Sequence, residues 1–260
     1  MQRGGDGSFH LFLPKRVGRE ETLCTSLCGE QSILVAIDSH SVIKRRPGPS
    51  DDFACQAYNI EVRAYGRLGD HPRIASLREV TDDGIVLERG ECLRQKIQSN
   101  ASQTAMQTKL RWAQEAAEGL RYIHMKNIIH ADVGCHNLIL DQSGHIKFID
   151  FAGSGIDGEV ATVCYEWCSY QPGSEPDVRT DIFAFGSTLY EIETGEKPYH
   201  ELEKTLNAGN LMRRVEQLFA MGEYPRVDTL VLGDVILRCW NGDYSVMDQV
   251  VRDLDVLPGA

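Results

Sequence analysis

The stretch His130-Ala131-Asp132-Val133-Gly134-Cys135-His136-Asn137 (HADVGCHN) lies between two apolar runs, NIIH and LILD. Asp132, His136 and Asn137 are poor strand and helix formers. A polar loop anchored by apolar runs on both sides usually presents its side chains to something.

The 260 residues suffice for one large domain or for two lobes that share a cleft. Hydrophobic and charged fractions of 42% and 25% are ordinary for a globular protein. The formal net charge of −11 argues against a nucleic-acid partner on electrostatic grounds, whereas a basic peptide or a Mg²⁺-complexed ligand fits. No run approaches the roughly 20 apolar residues of a membrane span, and FHLFL near the start is too short for a secretory core. The eight cysteines include no CxxC pair. Cys24/Cys28 and Cys164/Cys168 have no matching His cluster for zinc, so reduced thiols in a cytoplasmic protein are expected.

Outward from the loop, NLILD and HIKFID are joined by Gln142-Ser143-Gly144 and read as a hairpin. TLCTSL, ILVAI and SVIKR read as strands, followed by a loop at Pro47–Asp51. Phe53–Leu68 reads as a helix with Ala57, Ile60, Ala64 and Leu68 on one stripe. IASLREV and GIVLE read as strands split by a turn at Asp82-Asp83-Gly84. Beyond Gly90 the pattern turns helical: CLRQKI, then TKLRWAQEAAEGLRYIHMK. Further helices follow from Asp181 onward, at DIFAFGSTLYEIETG, NLMRRVEQLFAMG, VLGDVILRCW and VMDQVVRDL. Met106, Trp112 and Met125 sit at helical spacings and read as core, and His130 as a packed histidine that supports the loop.

A hairpin brings its ends together, so Asn137 and Asp150 should face each other. An amide oxygen and a carboxylate are hard donors suited to Mg²⁺. Asp132 can then accept a proton from an incoming hydroxyl.

With these residues in place, the chain resembles a eukaryotic-type protein kinase over roughly residues 20 to 254. His130-Ala131-Asp132…Asn137 is similar to the H-R-D-x-x-x-x-N loop and Asp150-Phe151-Ala152 to D-F-G, with matching spacings. Val42-Ile43-Lys44 resembles the V-A-I-K strand, and Lys44 shares a strand face with Val42. Thr180-Asp181…Gly186 resembles the helix start whose aspartate braces the catalytic loop. Cys239-Trp240 matches the late CW of many kinases, and together with HADVGCHN it is similar to a group of fungal protein kinases.

The resemblance implies an α+β, protein-kinase-like two-lobe fold, with a small β-rich N-lobe (17–90), a larger helical C-lobe (91–254), an ATP cleft between them and an N-terminal extension over 1–16. It further implies that Lys44, paired with Glu61, grips the α/β-phosphates and that Gly29 lies in the phosphate-covering loop. Leu87 takes the gatekeeper place, and Glu88 to Gly90 form an adenine-binding hinge acting through backbone groups. Asn137 and Asp150 would hold Mg²⁺, and Asp132 would be the base or orienting group.

The chain also departs from the family pattern. The phosphate-covering loop keeps one glycine, Gly29, and carries Glu30, which should weaken the approach of backbone N–H groups to phosphate. Ala131 replaces an arginine that reads phosphorylated activation loops, so activity should not need that charge pairing. Gly134 stands where Ser/Thr kinases place a phosphate-contacting lysine. His136 stands where tyrosine kinases place an arginine, and can substitute as donor. Restoring a lysine at 134 is therefore expected to raise the rate. Ala152 replaces the D-F-G glycine, and Gln171-Pro172-Gly173 lacks the glutamate of A-P-E, as the 241–250 stretch lacks its arginine partner. The resulting expectation is phosphoryl transfer from MgATP to a hydroxyl of a protein substrate, Ser/Thr rather than Tyr. A catalytically weak or inactive pseudokinase that acts as a signalling scaffold is the alternative.

Overall fold

The computed structural model describes residues 16–17, 20–27, 30–100 and 103–257. The N-terminal part is an antiparallel sheet. Its strands are β1 (Arg16–Val17), β2 (Glu20–Leu27), β3 (Glu30–Ala36), β4 (Ser41–Arg45), β5 (Leu77–Thr81) and β6 (Gly84–Glu88), in the order β1-β2-β3-β4-β6-β5. Alternation decides which face is buried. Val42 and Lys44 point inward on β4 while Ile43 is only half-buried. The register sets Val42 opposite Leu87 and Lys44 opposite Ile85.

Helix α1 (Asp52–Leu68) starts where the Asp51 side chain accepts the Ala54 N–H, and stops at Gly69, which has a φ of 60°. Its buried stripe contains Tyr58, Ala64, Tyr65 and Leu68, with the carboxylate of Glu61 among them. A charge on an apolar stripe is costly without a partner, and that partner must come from the sheet.

The C-terminal part begins with β7 (Glu91–Cys92) and α2 (Leu93–Asn100), then α3 (Met106–Met125), β8 (Ile128–Ile129), β9 (Leu138–Leu140), β10 (Ile146–Phe148) and β11 (Gly155–Ile156). The remaining helices are α4 (Val178–Thr194), α5 (His200–Glu203), α6 (Ala208–Ala220), α7 (Gly233–Asn241) and α8 (Met247–Asp255). The β9–β10 hairpin pairs Leu138 with Phe148, and β7 joins it on the β9 side. Helix α4 is buried nearly all round and lies against α7, where the Trp240 indole N–H donates to Ser187 Oγ at 3.1 Å. Apolar packing runs without a break from Val42 and Leu87 to Leu254.

Several boundaries differ from the sequence expectation. The strand expected from Ile74 begins only at Leu77. Ile74 instead bridges Phe148, and the neighbouring Phe148 N–H donates to Arg73 O at 2.8 Å. The backbone of 73–75 therefore joins the β10 edge of the other lobe and leaves its own sheet. Met125 is not core: it is 70% exposed, on the last turn of α3. Trp112 is buried, and Met106 is partly buried against the core. The two-residue strands and α5 are too short to show a period in sequence. Of the 1–16 extension only Arg16 lies within the described residues. No helix among the described residues is long and apolar enough to cross a membrane.

Helix α4 begins three residues before Asp181 because Asp177 caps it. The Asp177 side chain accepts the N–H groups of Arg179 (2.7 Å) and Thr180 (2.8 Å), and the Thr180 hydroxyl oxygen accepts the Asp177 N–H. Asp177→Ala removes this box and should cost about 1 kcal/mol, a fall of about 2–4 °C in melting temperature by calorimetry. An unchanged melting temperature would show that the box does not stabilise α4.

Candidate active site

Beneath the HADVGCHN loop lies the carboxylate of Asp181, fully buried in the first turn of α4. It accepts the backbone N–H groups of His130 and Ala131 at 2.9 Å each and the Tyr165 hydroxyl at 2.8 Å, and it lies 2.9 Å from His124 Nε2. Burial alone would raise its pKa, but the bonds from His124 and the His130 backbone outweigh that and hold it below the usual carboxylate range. Ala131 has a φ of 65°, left-handed for a residue with a Cβ, which typically costs about 1–2 kcal/mol. The Asp181 carboxylate, gripping the two successive N–H groups that lead into that kink, offsets the strain.

His130 packs as expected. Its Nδ1 accepts the Asp132 N–H at 3.3 Å, which leaves Nε2–H to donate to Ile149 O at 3.1 Å. Its ring lies 5.1 Å from Phe151, which meets Tyr65 of α1 edge-on at 5.1 Å. This aromatic column fixes the loop, the 150–152 segment and α1 relative to one another.

The hairpin brings together the residues expected to share a cation. The Ile149 N–H donates to Asn137 O at 3.0 Å, and Asp150 follows with a φ of 64°. The Asn137 amide donates to Asp132 O and Asp132 Oδ2, both at 2.9 Å, which leaves its own oxygen as the donor for a cation. Lys44 Nζ lies 2.7 Å from Glu61 Oε2 and 3.0 Å from Asp150 Oδ1, with Lys44 and Glu61 buried and the Asp150 side chain 10% exposed. Burial disfavours the ammonium, but Asp150 and Glu61 outweigh it and push its pKa up. Glu61 is raised to about 7, chiefly by burial and against the pull of Lys44. One ammonium thus faces two carboxylates, and the Asp150 oxygen it leaves free, together with the Asn137 amide oxygen, is a pair of hard donors that fits a divalent cation.

At the hinge, Leu87 is buried with Val42 and Leu77 paired to it on either side. The Glu88 side chain bonds Ser76 N–H (3.1 Å) and Lys147 Nζ (2.8 Å) and so ties the lobes together. The N–H groups of Glu88 and Arg89 donate to Ser76 O and His40 O, both at 2.9 Å. A ring bound here is left with the carbonyls and the Gly90 N–H. Gly90 is required by close approach, because a Cβ there would lie 2.5 Å from Leu140 O. Gly29 lies outside the described residues.

One part of the site carries no sequence signal. His136 Nε2 lies 3.2 Å from Asp132 Oδ2, and His136 Nδ1 lies 3.2 Å from Glu166 Oε2. Burial works against the imidazolium, but Glu166 and Asp132 outweigh it and lift the His136 pKa to about 10. Arg94 makes paired bonds to Glu166 (2.8 and 2.6 Å) and to Glu191 (2.6 and 2.8 Å). A Cβ on Gly134 would lie 2.6 Å from two atoms of the His136 ring. The expectation that a lysine at 134 restores a donor is therefore corrected: its first carbon would collide with the donor already there. Arg94, Glu166 and Glu191 went unnoticed because they lie far apart in the chain and match no motif. Farther out, Arg63 and Arg67 of α1 form paired bonds with Glu159 (3.0 and 2.8 Å) and Asp157 (2.8 and 2.5 Å).

Comparison with known proteins agrees with this geometry. Residues 43–246 match the protein tyrosine and serine/threonine kinase family. Among similar proteins, the serine/threonine-protein kinase STY17 of Arabidopsis thaliana is 26% identical over 160 residues, covering 58% of this chain and 27% of the plant protein. A probable serine/threonine-protein kinase of Clostridium acetobutylicum is 28% identical over 173 residues, 61% of this chain and 26% of that protein. The melanoma receptor tyrosine-protein kinase of Xiphophorus maculatus is 23% identical over 195 residues, 68% of this chain and 16% of the receptor. The chain thus spans about a quarter or less of the length of these relatives. With the family matched over most of the chain and the Lys44–Glu61–Asp150 cluster assembled beside Asp132 and Asn137, this chain belongs to the protein tyrosine and serine/threonine kinase family.

Proposed function

We propose that the domain, taken as residues 17–254, transfers the γ-phosphoryl group of ATP to a protein hydroxyl, Ser/Thr rather than Tyr. The observation that carries this is the buried triad Lys44–Glu61–Asp150, formed across the cleft and next to Asp132 and Asn137. A scaffold has no physical need to hold these charges out of water, where each costs several kcal/mol before pairing. The names of the plant and clostridial relatives support the Ser/Thr preference.

Lys44 would lean on the α/β-phosphates, held straight by Glu61. Asn137 and Asp150 would hold Mg²⁺, which when bound neutralises charge on the phosphates. Oδ2 of Asp132 is taken up by Asn137 and His136, so Oδ1 is left to orient a hydroxyl and receive its proton. His136 supplies the positive charge beside the transferred group that Gly134 cannot. Arg63 and Arg67 hold α1 to the 157–159 segment through carboxylates, which supports an active arrangement without a phosphate on that segment.

Three measurements test this. MgATP at about 100 times its dissociation constant should stabilise the fold by about 2.7 kcal/mol, a rise of about 5–10 °C in melting temperature. Asp150→Ala should remove the part that depends on Mg²⁺, and identical MgATP shifts in both proteins would make the cation assignment wrong. Asp132→Asn should lower transfer by roughly 10²–10⁴ while leaving MgATP binding intact, read by intact mass and melting. Wild type that binds MgATP and transfers nothing to any protein hydroxyl would hand the case to the scaffold. Phosphatase treatment should leave the rate within about twofold, since no arginine occupies position 131 and carboxylates already pair Arg63 and Arg67. A tenfold loss would mean that a phosphate is read elsewhere.

A further inference from the structure

Position 134 and position 136 compete for one volume. The His136 ring lies over Gly134 so closely that a methyl group at 134 would come within 2.6 Å of Cε1 and Nδ1. Real Cβ atoms essentially never approach another atom that closely, so the ring in its present seat demands glycine below it. A ring that could swing away would make no such demand. What prevents it lies on the far side: Glu166 Oε2 is 3.2 Å from Nδ1, while Asp132 Oδ2 is 3.2 Å from Nε2.

Glu166 is itself immobilised. Arg94, at the start of α2, forks onto both of its oxygens and onto both oxygens of Glu191 in α4. The Arg94 side chain is 13% exposed and that of Glu191 only 4%. Paired, planar guanidinium–carboxylate bonds fix direction as well as distance. The chain of contacts therefore runs from the rigid α4 through α2 to the segment before α4, and from there to the catalytic loop.

We propose that Glu166 is a positioning residue of the transfer reaction: gripped by Arg94, it seats the His136 ring against Asp132 in the space that Gly134 leaves open. The seat fixes the Asp132 carboxylate from one side as Asn137 does from the other, so the oxygen meant for the substrate hydroxyl points one way. The kinetic part of this inference rests on the phosphoryl-transfer reading, whereas the seat itself does not.

The test has two arms. The first needs no activity. Gly134→Ala in the wild-type chain should lower the melting temperature by about 4 °C or more, the usual effect of overpacking a filled site. In a Glu166→Ala background, where the ring is no longer pinned at Nδ1 and can pivot about Asp132, the same substitution should lower it by less than half as much. Equal losses in the two backgrounds would show that Glu166 does not seat the ring and would overturn the proposal, whatever the activity. The second arm is kinetic. Glu166→Ala should reduce kcat about tenfold or more with the KM for MgATP changed less than about twofold. In a His136→Ala background, Glu166→Ala should cost less than about twofold, because its partner is gone. Independent, multiplying losses would mean that Glu166 acts as an anchor unrelated to His136, which also overturns it. Should Glu166→Ala fail to fold, Glu166→Met, which keeps the length and has no oxygen to accept from the ring, carries both cycles. A coupled melting cycle in a chain that transfers no phosphate would uphold the seat and count against the phosphoryl-transfer reading alone.

Discussion

A single buried ammonium holds the cleft together. Lys44 comes from the sheet, Glu61 from α1 and Asp150 from the end of the β9–β10 hairpin, and their charges meet within 3.0 Å. Each element must be correctly set for this to happen. Strand β4 must pair with β6 in the register that turns Lys44 inward, α1 must present Glu61 on its apolar side, and Asp150 must accept a left-handed backbone. Removing Lys44 would leave two carboxylates uncompensated in a dry site, and breaking such pairs typically costs about 3–5 kcal/mol. Because two carboxylates share one ammonium, the cluster keeps a net negative charge. That residue of charge is what a divalent cation and its phosphate ligand would complete.

The second constraint lies below the loop. Asp181 gathers donors from His124, His130, Ala131 and Tyr165, which come from α3, the catalytic loop and the segment before α4. A carboxylate with this many partners behaves as a rigid peg, since any shift of the loop would strip several bonds at once. The aromatic column of His130, Phe151 and Tyr65 carries that rigidity upward to α1, and so to Glu61. Lys44 and Asp181 thus govern opposite ends of one packed unit.

Much of this was legible in the sequence because it is written locally. The inward face of β4 follows from alternation, and the meeting of Asn137 with the Asp150 end of the hairpin follows from a turn at Gln142-Ser143-Gly144. The brace at Asp181 followed from resemblance. What stayed hidden is written at long range. Arg94 and Glu191 sit on two separate helices, Glu166 on the segment between β11 and α4, and they match no spacing rule. The demand for glycine at 134 cannot be read without knowing where the ring at 136 lies. Met125 was misread because helical spacing gives a face but not where the neighbouring elements stop covering it. Ile74 and Ala75, part of the lobe-crossing backbone, read likewise as ordinary strand.

Two kinds of ion pair act on the segment between Asp150 and α4, and their settings decide which matters more. Arg63–Glu159 and Arg67–Asp157 are 39–55% exposed. Water and salt screen such pairs, so they trim the position of α1 without dictating it. The Arg94 cluster is shielded, and burying it pays a desolvation penalty that only good geometry repays. Its paired bonds on both sides provide that geometry. The order of the segment is therefore set mainly where it meets α2, α4 and the catalytic loop. Loss of the outer pairs in high salt would loosen α1 before it disturbed Asp132.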